Sequence, residues 1–345
     1  MAEAKSVKPL PVEDLEHVLA HTRELWNEAK GASFFITGGT GFFGMWLLES
    51  FAHINDVLGL GMRATVITRD PERFAAKAPH LAQRKDLHFV AGDIRTFTFP
   101  AGEFRYVVHG ATTSGAPVAN LEMLETIIDG TRRVLDFASK HGTTKFLYIS
   151  SGAVYGKQPD DLSHIPEDYH GAPDPLVPNS AYGEGKRVGE LLSVLQSKQS
   201  GFEAKIARCF AFIGPHLPLD AHFAAGNFIR DAIAGGPIVV KGDGKSVRSY
   251  LYASDLAGWL WAILFQGRSG AAYNVGSEEV ITVAGLAQLV ASSLRCSVEF
   301  AGSPDGLLST RYVPSAQQSQ KSLLLSAEVG CNDALLKTAD WLLKR

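Results

Sequence analysis

Residues 32–44 read ASFFITGGTGFFG, and this stretch decides the fold. A short apolar run, Ala32–Thr37, predicts a strand. The chain then turns through Gly38, Gly41 and Gly44 in a G-x-x-G-x-x-G pattern and enters a predicted helix, Phe43–His53. Each glycine has a physical task when such a loop meets a dinucleotide. The first permits the tight turn, the second lets backbone approach a pyrophosphate, and the third lets the helix pack close to the strand. The helix N-terminus favours the anion. The lysine and hydroxyl of a triphosphate-binding P-loop are missing, so a nucleoside triphosphatase is disfavoured.

Working outward, strands are predicted at Arg63–Thr68, Leu87–Ala91, Tyr106–Gly110 and Lys145–Ser150. Helical stretches follow Pro71 and span Asn120–His141. This alternation at βαβ spacing predicts an α/β protein with a Rossmann-type, doubly wound parallel sheet. Residues 157–179 carry five prolines and read as an irregular loop. They are followed by a helix, Ala181–Ser197, and a strand, Ala204–Phe210. Beyond Gly214 the pattern mixes short strands (Ile238–Lys241, Ser249–Tyr252) with helices (Asn227–Ala234, Leu256–Phe265, Val283–Ser293). The expected organisation is a helical extension over 1–30, a dinucleotide-binding domain over 31–210 and a smaller mixed α/β substrate lobe over 211–345. Residues 248–275 are expected to return in part to the first domain. The extension reads as one amphipathic helix from Asp14, its expected N-cap, to Lys30, packed on the main domain or offered to a partner.

Composition narrows the class. The chain has 345 residues, 46% of them hydrophobic and 20% charged, which is enough apolar material for a full core. With 33 basic and 36 acidic residues the formal net charge is -3, so no nucleic-acid or membrane partner is expected. Three scattered cysteines form no disulfide framework or CxxC pair, and the histidines show no metal-ligand spacing. A cytoplasmic enzyme without a metal is the expectation.

Cofactor choice turns on Thr68-Arg69-Asp70 at the end of the second strand. An acid there would accept from a ribose 2′-hydroxyl, whereas Arg69 would pair with a 2′-phosphate. The reading favours NADP(H). Asp70 keeps NAD(H) open, and Arg69 as a solvated loop charge is the plain alternative. Chemistry is suggested by Tyr182-Gly-Glu-Gly-Lys186 on a predicted helix, where residues i and i+4 share a face. An ammonium beside a phenol stabilises the phenolate, so the phenol can pass a proton to or from a substrate oxygen. Upstream, Ser151 stands at the end of a predicted strand, where its hydroxyl can donate to a carbonyl oxygen as charge develops.

These pieces together resemble the extended short-chain dehydrogenase/reductases that modify nucleotide-activated sugars. The resemblance is carried by TGGTGFFG (37–44), Gly92-Asp93, HGAT (109–112), SSGAVYG (150–156), YGEGK (182–186), ARCFAFIGP (207–215), RSYLYASD (248–255), YNVGS (273–277) and RYVP (311–314). It implies a catalytic triad of Ser151, Tyr182 and Lys186. Cofactor contacts are implied at Gly38, Thr40, Gly41, Phe42, Phe43, Gly44, Arg69, Asp93, Ile94, Ala111, Thr112, Tyr182 and Lys186. The sugar nucleotide is implied to meet Ser151, Gly152, Asn227, Arg248 and Arg311, with His222 a further candidate. It also implies a homodimer built on helices 120–141 and 181–197, with Leu121, Leu124, Ile128, Val134 and Leu135 as a candidate stripe. Two departures bear on the reaction. Gly152 and Ala153 stand where the 4,6-dehydratases of this family carry Asp-Glu, and Ala211 stands where many members carry Asn. The expected reaction is reduction of a nucleotide-linked 4-keto-6-deoxyhexose. A 4-epimerase with tightly held NAD, and a non-catalytic NADP(H)-binding protein, remain alternatives.

Overall fold

The run before the glycine loop forms β1 (Ser33–Thr37), and Phe34, Phe35 and Ile36 within it are all fully buried. A strand apolar on both faces needs cover on both. Phe34 packs at 4.7 Å against Tyr106 on one side, and Phe35 packs at 4.1 Å against Phe137 on the other. The structure, a computed structural model, describes residues 6–112, 119–221, 223–302 and 310–344. β1 is joined by β2 (Arg63–Thr68), β3 (Leu87–Ala91), β4 (Tyr106–His109), β5 (Lys145–Ser151), β6 (Glu203–Cys209) and the strand Ala272–Val275 in one seven-stranded sheet. The spatial order is Ala272–Val275, β6, β5, β4, β1, β2, β3, and every pairing is parallel. The order reverses between β1 and β4, which opens the crevice where open α/β sheets take ligands.

The helix Ala253–Gln266 is buried on all sides from Ala253 to Phe265. It begins earlier than the periodicity suggests because Ala253, Ser254 and Asp255 are themselves enclosed. The expected strand Ser249–Tyr252 is broken at Tyr250 into Val247–Ser249 and Leu251–Tyr252, which pair in different sheets. Outside the large sheet stand the helices Ala224–Ile233 and Val283–Leu294. A small sheet also stands there, in which Val247–Ser249 lies between Val280–Thr282 and Arg311–Tyr312.

The N-terminal extension differs from the single helix expected. An α-helix runs Val12–Thr22, directly after Pro11, and tightens into a 3-10 helix over Arg23–Ala29. Asp14 is not the cap. It is 2% exposed and accepts from the Tyr252 hydroxyl at 2.6 Å and from Lys337 Nζ at 2.7 Å. An acid at a helix start can cap or can pair across the fold, and here two donors from distant segments claim it. Trp26 sits fully buried, edge-on to Trp261 and Phe265 at 5.0 Å, so the extension is part of the core. Ahead of it a strap is fastened by backbone: Val7 N donates to Lys77 O at 2.7 Å, and Leu10 N to Glu49 Oε2 at 2.6 Å.

Candidate active site

The glycine loop lies at the β1/β4 crevice, and its shape depends on missing side chains. Gly38 has φ +76°, and a Cβ there would meet the Gly110 carbonyl carbon at 2.6 Å. A Cβ on Gly44 would collide with Gly39. Gly41 is the N-cap of the helix Phe42–Leu58 and gives no side-chain cap, so the first turn's N–H groups are left for another partner at the loop. Behind the loop, Thr37 Oγ1 bonds His109 Nδ1 at 2.7 Å and accepts from Ala111 N at 3.2 Å, while His109 Nε2 meets Thr131 Oγ1 at 3.1 Å. Burial, and then the Lys186 charge, push His109 down to about 3. It is therefore a neutral spacer that locks the HGAT turn against β1. Thr112 Oγ1 is buried with no hydrogen-bond partner among the described residues, as a contact awaiting a ligand would be. The cradle and this orphaned hydroxyl fit a dinucleotide.

At the end of the sheet near β2 and β3, Asp93 is bonded by Arg95 at 2.9 and 3.0 Å. That pairing holds its carboxyl below the usual range, with a smaller contribution from Arg69. Ile94 packs where a side chain on Gly130 would otherwise stand. Arg69 is exposed at the end of β2. Asp70 is already employed: its Oδ1 accepts from Arg73 N at 2.8 Å and caps the helix Pro71–Lys77.

Ser151 closes β5 and is buried, and its Oγ accepts from Ala153 N at 3.2 Å. The helix Ala181–Ser200 carries Tyr182 and Lys186. Burial pushes the Tyr182 phenol up, and hydrogen bonding to Ser151 pulls it partly back. Lys186 is 3% exposed, and its Nζ donates to Ile149 O at 2.8 Å. It lies 6.0 Å from the centre of the Tyr182 ring and 5.1 Å from that of Tyr148. Burial brings Lys186 down to about 8. Three groups able to donate, move and electrostatically support a proton thus meet at the carboxyl end of β5.

Glycines in the second helix make this approach feasible. A Cβ on Gly183 would meet Ala153 O at 2.7 Å, and one on Gly185 would press on Ile127 and Leu124 at 3.3 Å. The helix therefore starts tight against the Ser151 loop and lies along the helix Asn120–Lys140. Val134 and Leu135 of that longer helix, expected in an outward stripe, are core residues at 0% and 2% exposure. Leu121 of the same stripe is exposed and Leu124 and Ile128 are half-buried, and on the neighbouring helix Leu191 and Leu195 are exposed.

Tyr312 joins the site from outside the expected set. Its hydroxyl stands 3.5 Å from Ser151 Oγ and 3.4 Å from Cys209 O, and its ring lies 4.6 Å from Phe210. A Cβ on Gly152 would meet both the Phe210 ring and the Tyr312 hydroxyl at 2.7 Å. The signal was available, since Tyr312 follows Arg311 in RYVP. Behind β5 a buried network also went unread. Ser150 Oγ donates to Glu190 Oε1 at 2.6 Å, Arg208 Nη2 to Glu190 Oε2 at 2.7 Å, and Arg208 Nη1 to the Tyr155 hydroxyl at 2.8 Å. It clamps the helix carrying Tyr182 to β5 and β6.

The expected sugar-nucleotide residues are only partly brought together. Arg248 pairs in register with Tyr312, so both project from the same face of the small sheet. Arg311 pairs with Val247 and alternates to the opposite face. Arg248 is held by Thr310 O and Thr310 Oγ1 at 2.8 Å. Asn227 Oδ1 accepts from Arg230 at 3.3 Å. His222 lies outside the described residues. Among the described residues no cluster of His, Cys, Asp and Glu could hold a metal, and no helix is long and apolar enough to cross a membrane.

Comparison with known proteins agrees with this architecture. The family model described as NAD dependent epimerase/dehydratase family matches residues 34–276. The chain is 28% identical over 320 residues to a dTDP-glucose 4,6-dehydratase of Streptomyces griseus, covering 89% of this chain and 92% of that protein. It is 30% identical over 257 residues to UDP-glucuronic acid decarboxylase 1 of Arabidopsis thaliana, covering 74% of this chain but only 57% of the relative. A solved dTDP-glucose 4,6-dehydratase of Bacillus anthracis in complex with NAD superposes with a TM-score of 0.74 at 19% identity. That match covers 91% of this chain and 97% of the other. At that identity the likeness establishes the fold alone.

Proposed function

Because this chain belongs to the NAD dependent epimerase/dehydratase family, we propose that it reduces a nucleotide-linked 4-keto-6-deoxyhexose with a nicotinamide dinucleotide, NADP(H) in preference to NAD(H). When bound, the dinucleotide supplies the hydride. Ser151 donates a hydrogen bond to the substrate carbonyl oxygen, and Tyr182 delivers its proton to that oxygen as it becomes an alcohol. Lys186 supports the phenolate left behind. Arg248, on the face shared with Tyr312, is the cation placed to meet the diphosphate, and residues 211–345 supply most of the lobe around the sugar.

The observation that carries this reading is the space above Gly152. Elimination of water from the sugar needs an acid-base pair beyond the triad. Here the positions after Ser151 are Gly152 and Ala153, and the Phe210 ring and Tyr312 hydroxyl fill the room a side chain at 152 would use. The preference for NADP(H) is supported by Asp70, which is committed to capping a helix, and by exposed Arg69 beside it. A second reading, a 4-epimerase with tightly held NAD, uses the same triad and the same glycine cradle.

The test is to mix the protein with NADPH and a 4-keto-6-deoxy sugar nucleotide and follow NADPH absorbance and the sugar's mass. Stoichiometric NADPH loss with gain of two hydrogens by the sugar is expected. Interconversion of two isomeric sugar nucleotides with no added cofactor would replace the reductase reading with the epimerase.

A further inference from the structure

The glycine loop is held from outside by a residue that no part of the cofactor motif contains. Lys77 ends the helix that Asp70 caps, and its Nζ donates to the carbonyl of Thr40 at 3.2 Å. Thr40 lies between Gly38 and Gly41, in the part of the loop where a phosphate-bearing ligand approaches backbone. The ammonium is half-buried, yet among the described residues its hydrogen bond goes to one neutral carbonyl and to no carboxylate. Its neighbour on the same helix face, four residues earlier, is another cation, Arg73. Burial and Arg73 together push Lys77 below its ordinary value. Two like charges beside the glycine loop, one of them partly desolvated, would both be stabilised by an anion between them.

The placement is also braced. Val7 N of the N-terminal strap bonds Lys77 O at 2.7 Å. The strap is fixed in turn at Leu10 to Glu49, whose other oxygen lies 3.2 Å from His80 Nε2 in the next short helix. The extension therefore holds the segment that presents Lys77 to the loop.

We propose that Lys77, with Arg73 beside it, binds a phosphate of the adenosine half of the dinucleotide and is positioned for this by the N-terminal strap. This rests on the reading that the Gly38–Gly44 loop takes a dinucleotide. The phosphate is either the 2′-phosphate of NADP(H) or the pyrophosphate common to both cofactors. The experiment is direct titration of NADPH and NADH, read by nucleotide fluorescence, into wild-type protein, Lys77→Met, Lys77→Arg and Arg73→Gln. Each variant is checked by thermal melting without cofactor. Loss of one charge-assisted contact to phosphate predicts roughly ten- to a hundredfold weaker binding by Lys77→Met, with Lys77→Arg within a few fold of wild type. A loss confined to NADPH assigns the 2′-phosphate, and an equal loss for both assigns the pyrophosphate. Unchanged affinity for both in a folded Lys77→Met overturns the proposal. Should that variant not fold, exposed Arg73→Gln reads the same contact, and unchanged affinity there overturns it equally. Wild-type protein that binds neither dinucleotide removes the loop reading itself, an outcome distinct from binding that Lys77 does not affect.

Discussion

Replacing Lys186 by Met removes a charge that the fold holds at a cost. Lys186 is 3% exposed, and burial lowers it from 10.5 to about 8. An ammonium whose folded value lies below its unfolded one destabilises the fold. The penalty is full below pH 8, where both states hold the proton. It is relieved as pH rises from about 8 to 10.5, because there the unfolded chain binds the proton that the folded one has released. At 1.36 kcal/mol per pH unit the penalty is about 3 kcal/mol. Met keeps the apolar stem but leaves the Ile149 carbonyl without its donor, which costs about 1–3 kcal/mol. At pH 7 Lys186→Met should therefore match the wild type or exceed it by up to about 2 kcal/mol. Between pH 8 and 10.5 the wild type should gain about 3 kcal/mol on the variant. Urea unfolding at a series of pH values measures both. The same variant should lose at least about a hundredfold in kcat, since no ammonium is then left to support the phenolate that forms as Tyr182 gives up its proton. A stability difference flat in pH, or a variant more than 3 kcal/mol less stable at pH 7, would refute the reasoning.

Other consequences are sharp enough to measure. Gly152→Ala forces its methyl against Phe210 and Tyr312, so a stability loss of about 1–3 kcal/mol in thermal melts and a fall in kcat of about tenfold or more are expected. Arg69→Ala should raise the KM for NADPH much more than that for NADH, and an unchanged ratio in steady-state kinetics would return the choice of cofactor to NAD(H). Leu191 and Leu195 are 58% and 55% exposed, one turn apart on the helix Ala181–Ser200. If a second copy covers them, as the family resemblance implies, the double change to Asp should convert a dimer to a monomer in sedimentation without altering the monomer's melting. A wild-type monomer would end that expectation.

The sequence made the frame legible because its signals are local. The SFFIT run, the glycine spacing and the βα alternation each need only neighbouring residues to be read, and so does the shared helix face of Tyr182 and Lys186. What stayed hidden depends on distant partners. Asp14 reads as a cap until Tyr252 and Lys337 are seen to claim it. Gly183 and Gly185 weaken a helix on propensity alone and find their reason only in Ala153, Leu124 and Ile127. Tyr312 lies 161 residues from Ser151 and looks like an ordinary strand residue until the small sheet turns it onto the triad. Arg248 and Arg311 looked equivalent because a register, which fixes the face, is not written in either residue.

At the centre of the proposed reaction, NADPH gives hydride to a sugar ketone while Tyr182, supported by Ser151 and Lys186, supplies the proton. Its most direct test is the fate of deuterium from NADPH labelled at the transferable position, incubated with a 4-keto-6-deoxy sugar nucleotide in ordinary water. Deuterium is expected on carbon four of the product sugar with wild-type protein, and none with Tyr182→Phe despite intact cofactor binding. Unlabelled product, or product whose new hydrogen comes only from solvent, would contradict it.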